Sequence, residues 1–317
     1  MKVIHLPANI ASLMSHNVLA ERRLGIDSRG LCREDSKRLD YTGLETVKIG
    51  GLPWRVFQKV WLFLRAVRLI FWADVVHWYG ATPLYFLERL VWKPKVHTWC
   101  GAEVRMAAYE YDNPYFKPGE YDLDNAWGNL LKFWKYFPIA ENPSVMQYTG
   151  GMYLGRGITP LEPTFTHNGY VIHAGSQPVT KGTPEVQKVL DRLCPGNYRI
   201  ARDLPRDELL EAMRGCKIFV GQYRLGDIGM AEIEAMWLGK PVLAFVKASL
   251  RDLYGKDFPL IYSTLDTLEG DLRLLLEDDS LRRKYAYQCF VYAVKNFQSI
   301  DVATRRLDIY ERITEKG

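Results

Sequence analysis

Apolar and polar positions along the chain repeat one rhythm twice. In the first half, short apolar runs alternate with longer segments of helical period. KVIHL at 2–6 is followed by a helix over about 13–24, stopped by Gly25, and by a strand near 27–32. Then come TVKI at 46–49, a long helix over 54–72, ADVVHWYG at 73–80, a helix in PLYFLERLV and the strand KVHTW at 95–99. Apolar runs without alternation, set between helical segments, predict a parallel sheet covered on both faces. The rhythm lapses over 106–143, where MAAYEYDNPYFKPGEYD reads as a long surface loop, of a length often used for lids or substrate contacts. A helix near 125–137 and the strand SVMQYT are expected to close the first domain. Prolines and polar residues cluster in GRGITPLEPTFTHN at 155–168, so a boundary is drawn there.

The second half resumes with strands at 170–174, 197–201, 217–221 and 241–246 and helices at 184–193, 206–214 and 230–238. Helices near 265–275 and 280–295 follow, and a last one at about 302–315 places Leu307, Tyr310 and Ile313 on one face. Its opening stretch carries the candidate chemistry. GYVIHA breaks into the loop GSQPVTKGT, and IFVGQYRLGDIGMAEIEAMWLGKPVLAF repeats strand, glycine-punctuated loop and helix. Two such units aim helix N-termini, with their unpaired N–H groups and partial positive charge, at one crevice suited to phosphates. Lys181 adds a full charge there, and Glu234 can take two hydroxyls of a ribose. Gly175, Ser176, Gly182 and Thr183 complete a phosphate cradle, unless Thr183 caps its helix. Gly229 and Met230 are expected to offer backbone N–H groups, and Asp227 to contact sugar hydroxyls or simply shape the loop. Glu232 and Glu234 lie two apart on a helix, so only one faces the crevice. His173 and His77 read as satisfied core histidines.

Composition changes this picture little. The chain has 317 residues, enough for two domains of about 150. It is 48% hydrophobic and 25% charged, as ordinary globular proteins are. A net charge of +5 favours anionic partners without choosing among them. Five scattered cysteines with no CxxC pair argue against a disulfide framework and a zinc site, and fit a reducing compartment. With MKVIHLP reading as a strand rather than a leader, and no apolar run of about 18 residues, a cytoplasmic location is expected. In the helix WRVFQKVWLFLRAVRLIFW, Arg55, Lys59, Arg65 and Arg68 cover a broad polar side. It is taken as a sheet-packing helix with its bases in water; peripheral membrane contact is the alternative.

HAGSQPVTKGT followed by IGMAEIEAMWLGKPVLAF resembles the donor-binding half of family 4 glycosyltransferases. The resemblance is best over 169–246, recognisable at PANIAS, ADVVHWYG and HTWCGAEVR, and absent over 106–143. It implies the α/β GT-B fold, two Rossmann-like domains facing across a cleft. These are an acceptor-side domain over 1–160, a donor domain over 161–299, and a helix over 300–317 returning to the first. It also implies transfer of a hexose-type sugar from a UDP- or GDP-linked donor to a hydroxyl acceptor, with retention, without metal and without a bound cofactor. Lys181 matches the lysine that neutralises donor phosphate, Glu234 the glutamate that binds ribose, and Arg202 and Leu204 lie where the base is held. Ser176 stands where the family has arginine, Gly226 beside Asp227 where it has glutamate, and Cys100 where TxHG has histidine. Glu103 and Arg105 match an acid–x–arginine pair; with Asn9 and Cys100 they make the expected acceptor side. The acceptor stays open among a saccharide, a lipid-linked or small molecule, and a modified base in DNA. The missing arginine, glutamate and histidine also leave open an inactive partner or binding subunit.

Overall fold

All strand pairings among the described residues are parallel, the outcome of short apolar runs separated by helices. The structure is a computed structural model, and it describes residues 1–34, 36–48, 50–51, 54–79, 87, 91–99, 137–140, 143, 146, 152–166, 168–175 and 177–315. The helix expected in PLYFLERLV, the 106–122 loop and the strand SVMQYT therefore lie outside the described residues or nearly so. The chain divides into two units: described residues up to Thr159 together with those from Ser299 on, and Pro160–Gln298.

In the first unit the elements are β1 (Lys2–Leu6), α1 (Leu13–Arg23), β2 (Asp27–Glu34), β3 (Glu45–Lys48), α2 (Trp54–Trp72), β4 (Val75–Tyr79), β5 (Lys95–Trp99), β6 (Phe137–Ala140) and β7 (Met152–Tyr153). The strand order β3-β2-β1-β4-β5-β6-β7 reverses direction between β1 and β4. Ile4, Leu6, Val76 and Trp78 pack on one face against Leu62, Ala66, Leu69 and Ile70 of α2. One expectation fails here. Phe137 begins a strand rather than ending a helix, with β6 joining the parallel ladder beside β5 and Pro138 opposite His97. The helix α2 packs on the sheet with Arg55, Lys59 and Arg68 exposed, as expected, but buries only four residues and leaves Phe57, Trp61, Leu64 and Phe71 exposed.

The second unit contains β8 (Tyr170–Ala174), α3 (Pro178–Lys181), α4 (Thr183–Leu193), β9 (Tyr198–Ala201), α5 (Arg206–Arg214), β10 (Cys216–Val220), α6 (Met230–Trp237), β11 (Val242–Ala244), α7 (Ala248–Tyr254), β12 (Ile261–Tyr262), α8 (Leu268–Glu277) and α9 (Asp279–Asn296). Its sheet runs β12-β11-β10-β8-β9, with the reversal between β8 and β10. The turn α3 and the pair α7 and β12 were not expected; elements of four, seven and two residues carry too little period to read.

The last helix, α10 (Ser299–Glu315), packs in the first unit, with Val302, Ile309 and Tyr310 against Val3, Val75, Val96 and Ile139. Leu307 and Ile313 are partly buried at the edge of that cluster. A buried polar net joins it to α1 and the sheet. Glu21 accepts from His5 Nε2 at 2.7 Å, Ser28 Oγ at 2.7 Å, Arg306 Nη1 at 3.3 Å and Tyr310 Oη at 3.2 Å. Arg306 Nη2 also donates to Asn17 Oδ1 at 2.8 Å, and Asn17 donates to Tyr79 Oη at 2.7 Å. Burial alone would raise the Glu21 carboxyl; the facing His5, Arg306 and Ser28 outweigh it and hold it down at about 2. His77 is a satisfied core histidine. Tyr310 spends its proton on Glu21, so His77 Nδ1 donates to Tyr310 at 2.5 Å and Nε2 accepts from Thr98 at 2.5 Å. Burial, and the charges of His5 and Arg306, keep that ring neutral, well below the usual histidine range.

Candidate functional site

In a doubly wound sheet, the loops on either side of the order reversal diverge, and ligands bind there at the carboxyl ends of the strands. In the second unit those loops are the one after β8, holding Gly175 to Lys181, and the one after β10, holding Gly221 to Gly229. The amide of Tyr223 donates to the carbonyl of Lys181 at 2.9 Å, so the two loops are stitched together beside the lysine. Arg224 reinforces the seam with an ion pair to Glu185 of α4 at 2.6 Å.

The first loop is built on close approach. A Cβ on Gly175 would lie 2.4 Å from Thr183 Oγ1 and 3.1 Å from His173 Nε2, so only glycine fits. Val220 O can only accept, so His173 donates to it through Nδ1 at 2.9 Å, leaving Nε2 to accept from the Thr183 hydroxyl at 2.8 Å. Burial, and secondarily the charge of Lys181, push His173 down to about 4, so the ring stays neutral. Thr183 thus does not cap its helix; its hydroxyl is spent on the histidine. Lys181 ends the turn α3, and Gly182, at φ 76°, takes the left-handed conformation that starts α4. The lysine therefore sits at a helix C-terminus, two residues ahead of the helix whose mouth it was expected to occupy.

The second loop is organised by Glu232, a residue the sequence left undecided. Its two carboxylate oxygens accept from the amides of Gln222 and Gly229, each at 2.9 Å. A Cβ on Gly221 would stand 2.7 Å from that carboxylate. The Gly229 N–H is therefore already used; the amides of Met230 and Ala231, in the first turn of α6, remain for an anion. Asp227 is buried, and its Oδ1 accepts from the Ile228 amide at 2.9 Å and from the Tyr254 hydroxyl, so it shapes the loop. Of the two glutamates on α6, Glu234 is the one turned outward from this loop. It is buried, and it accepts from Arg206, the first residue of α5.

Arg206 had no part in the sequence reading. Its signal was available only as a basic residue at the start of the helix after β9. Lys247 was also missed: it is fully buried, its stem lying where a side chain on Gly226 would go. Arg202 is exposed and Leu204 half-buried on the loop after β9, where Asp203 adopts φ 53°. In the first unit, Asn9 is buried in the β1–α1 loop and donates to Asp40 O at 2.6 Å, while its Oδ1 has no partner among the described residues. Ala11 at φ 50° and Ser12 at φ 65° hold that loop in left-handed backbone that non-glycine residues rarely adopt. Ser176, Cys100, Glu103 and Arg105 lie outside the described residues. Among the described residues no group of three His, Cys, Asp or Glu could hold a metal ion.

Two parallel Rossmann-like sheets with helices on their faces make the α/β fold of the GT-B glycosyltransferases, and this chain has that fold. It is similar to sucrose-phosphate synthase from Thermosynechococcus elongatus, with a TM-score of 0.74 and 12% identity over 100% of both chains. It is also similar to HepE from Anabaena, solved with UDP and glucose, at a TM-score of 0.65 and 13% identity over 98% of this chain and 100% of that one. WaaG, a glycosyltransferase of lipopolysaccharide biosynthesis, gives a TM-score of 0.62 and 12% identity over 98% and 99%. No protein-family model matches the sequence, and no curated protein does.

Proposed function

We propose that the chain is a glycosyltransferase that takes a hexose-type sugar from a nucleoside diphosphate donor held by the second unit. The observation that carries this is the stitching of Lys181 to the β10 loop at the sheet's order reversal. In the reaction, the bond from the sugar's anomeric carbon to the diphosphate breaks, and its electron pair leaves with the phosphate. A bond to the acceptor hydroxyl forms as that hydroxyl gives up its proton. Charge therefore grows on the leaving diphosphate, and the chain's task is to stabilise it. The Lys181 ammonium and the first-turn amides of α6 are the groups proposed to do so, a charge complement that asks for no metal or bound cofactor. Glu234 is proposed to take the ribose hydroxyls. Arg206 would hold its carboxylate in place. HepE, of similar fold, is solved with UDP and glucose, which supports a UDP-linked donor; a GDP-linked one and retention of configuration are carried by the family resemblance.

The test is a thermal-shift panel of nucleoside diphosphates and their sugars, with hydrolysis followed on each hit. Saturation at 100 times Kd stabilises by about 2.7 kcal/mol. Lys181→Ala is expected to lower turnover at least about 100-fold with the fold intact. Unchanged turnover would remove the lysine from the mechanism, and no shift with any nucleoside diphosphate would leave the binding-subunit reading in its place.

A further inference from the structure

The helix α2 is apolar on two sides. Leu62, Ala66, Leu69 and Ile70 face the sheet, and the first unit's core needs nothing more from it. On the opposite side, Phe57, Trp61, Leu64, Arg68 and Phe71 recur at spacings of three and four, so they form one stripe. Phe57 is 65% exposed and Leu64 60%, with Val60 beside them and Trp54 and Val56 at the leading turn. Trp92, 70% exposed, extends the stripe by standing edge-on to Phe71 at 5.4 Å. Lys93 fixes that corner by donating to the Phe71 carbonyl at 2.8 Å. An exposed aromatic patch this continuous marks an interaction surface.

Its charge says with what. The helix contains no acidic residue; Arg68 is exposed within the stripe, Arg55 and Lys59 are exposed at the helix's leading end on the side away from it, and Arg65 is paired with Glu45 at 2.6 Å. A second copy is disfavoured, since a twofold contact between two such stripes would set Arg68 against its own copy. An anionic bilayer meets both properties at once, taking tryptophan, phenylalanine and leucine at the acyl boundary and lysine and arginine among phosphates. No helix of the described residues is long and apolar enough to cross a membrane, so α2 would lie in the surface. We propose that the outward face of α2, with Trp92, docks the chain on an anionic phospholipid bilayer.

The experiment is flotation of the full chain with phosphatidylcholine vesicles, with and without phosphatidylglycerol. Binding is expected only with the anionic lipid, and is expected to weaken with salt. Arg68→Gln should weaken it about fivefold. Phe57→Glu and Leu64→Glu should abolish flotation with circular dichroism unchanged, their side chains being exposed. Three results would overturn the proposal: no flotation on anionic vesicles, flotation of Leu64→Glu equal to wild type, or a lipid-free dimer that Leu64→Glu turns into a monomer.

Discussion

The two sheets place histidines at equivalent depths and use charge in opposite ways. In the first, His5 and His77 join an ionised net in which Glu21 and Arg306 are both almost fully buried. In the second, His173 is neutral and makes one tie to a carbonyl and one to a hydroxyl, while Arg224, in the loop after β10, pairs with Glu185 of α4. Buried ions are costly unless every oxygen and proton has a partner, and the first unit supplies four donors to one carboxylate. The difference teaches what each cluster is for. Charges sealed behind α10 hold a helix from the far end of the chain; charges at a strand's carboxyl end stand where we propose a ligand binds.

The largest effect should come from breaking the sealed net. Arg306→Leu leaves Glu21 buried with its main cation gone, and is expected to cost about 3–5 kcal/mol. Urea unfolding, with amide exchange of Ser299–Glu315 as the local probe, reads both the loss and its place. A cost under about 1 kcal/mol, within the range of an exposed pair, would erase the contrast between the two clusters.

How much of this was legible can be judged residue by residue. KVIHL, VVHWY and YVIHA announced parallel strands because both faces of each are buried, which removes alternation from the sequence. The β8 and β10 loops were found because strand, glycine and helix follow within a few residues. What was hidden is what depends on distant partners. Arg206 lies 28 residues from Glu234, and Arg306 lies 285 from Glu21, so neither pairing leaves a local trace. Glu232 and Glu234 are chemically identical, and only the fold shows that the first ties down the loop. How much of α2 faces outward was hidden for another reason. A helix apolar nearly all round has no periodic signal saying which side the sheet will take.

A pH series sharpens the comparison at a smaller scale. His173, held at about 4 against an ordinary 6.5, binds fewer protons folded than unfolded. Its site is therefore fully stable above pH 6.5 and weakens as pH falls toward 4, on the order of 2–3 kcal/mol. His77 moves the same way, so this window does not separate the units. Glu21 does: held at about 2 against 4.5, it contributes fully above pH 4.5 and is lost only as pH falls from there toward 2. Exchange protection of α10 should keep falling through that lower window in the wild type and flatten in Glu21→Gln. Equal slopes in both proteins would show that the carboxylate is not the titrating group.

The smallest effect isolates the neutral cluster from the site it borders. Thr183→Val keeps the shape of the side chain but leaves His173 Nε2 without its donor, and is expected to cost about 1–3 kcal/mol. Because the hydroxyl is spent on the histidine, nucleoside diphosphate affinity should stay within about twofold, under 0.5 kcal/mol. Gly175→Ala should reproduce the stability loss by a different route, since its Cβ would displace the same hydroxyl. A Thr183→Val protein that is stable yet binds diphosphate tenfold more weakly would move the threonine from scaffold to ligand. The second unit would then use its buried polar groups for recognition as well, and the division between sealed and facing charge would hold for the first unit alone.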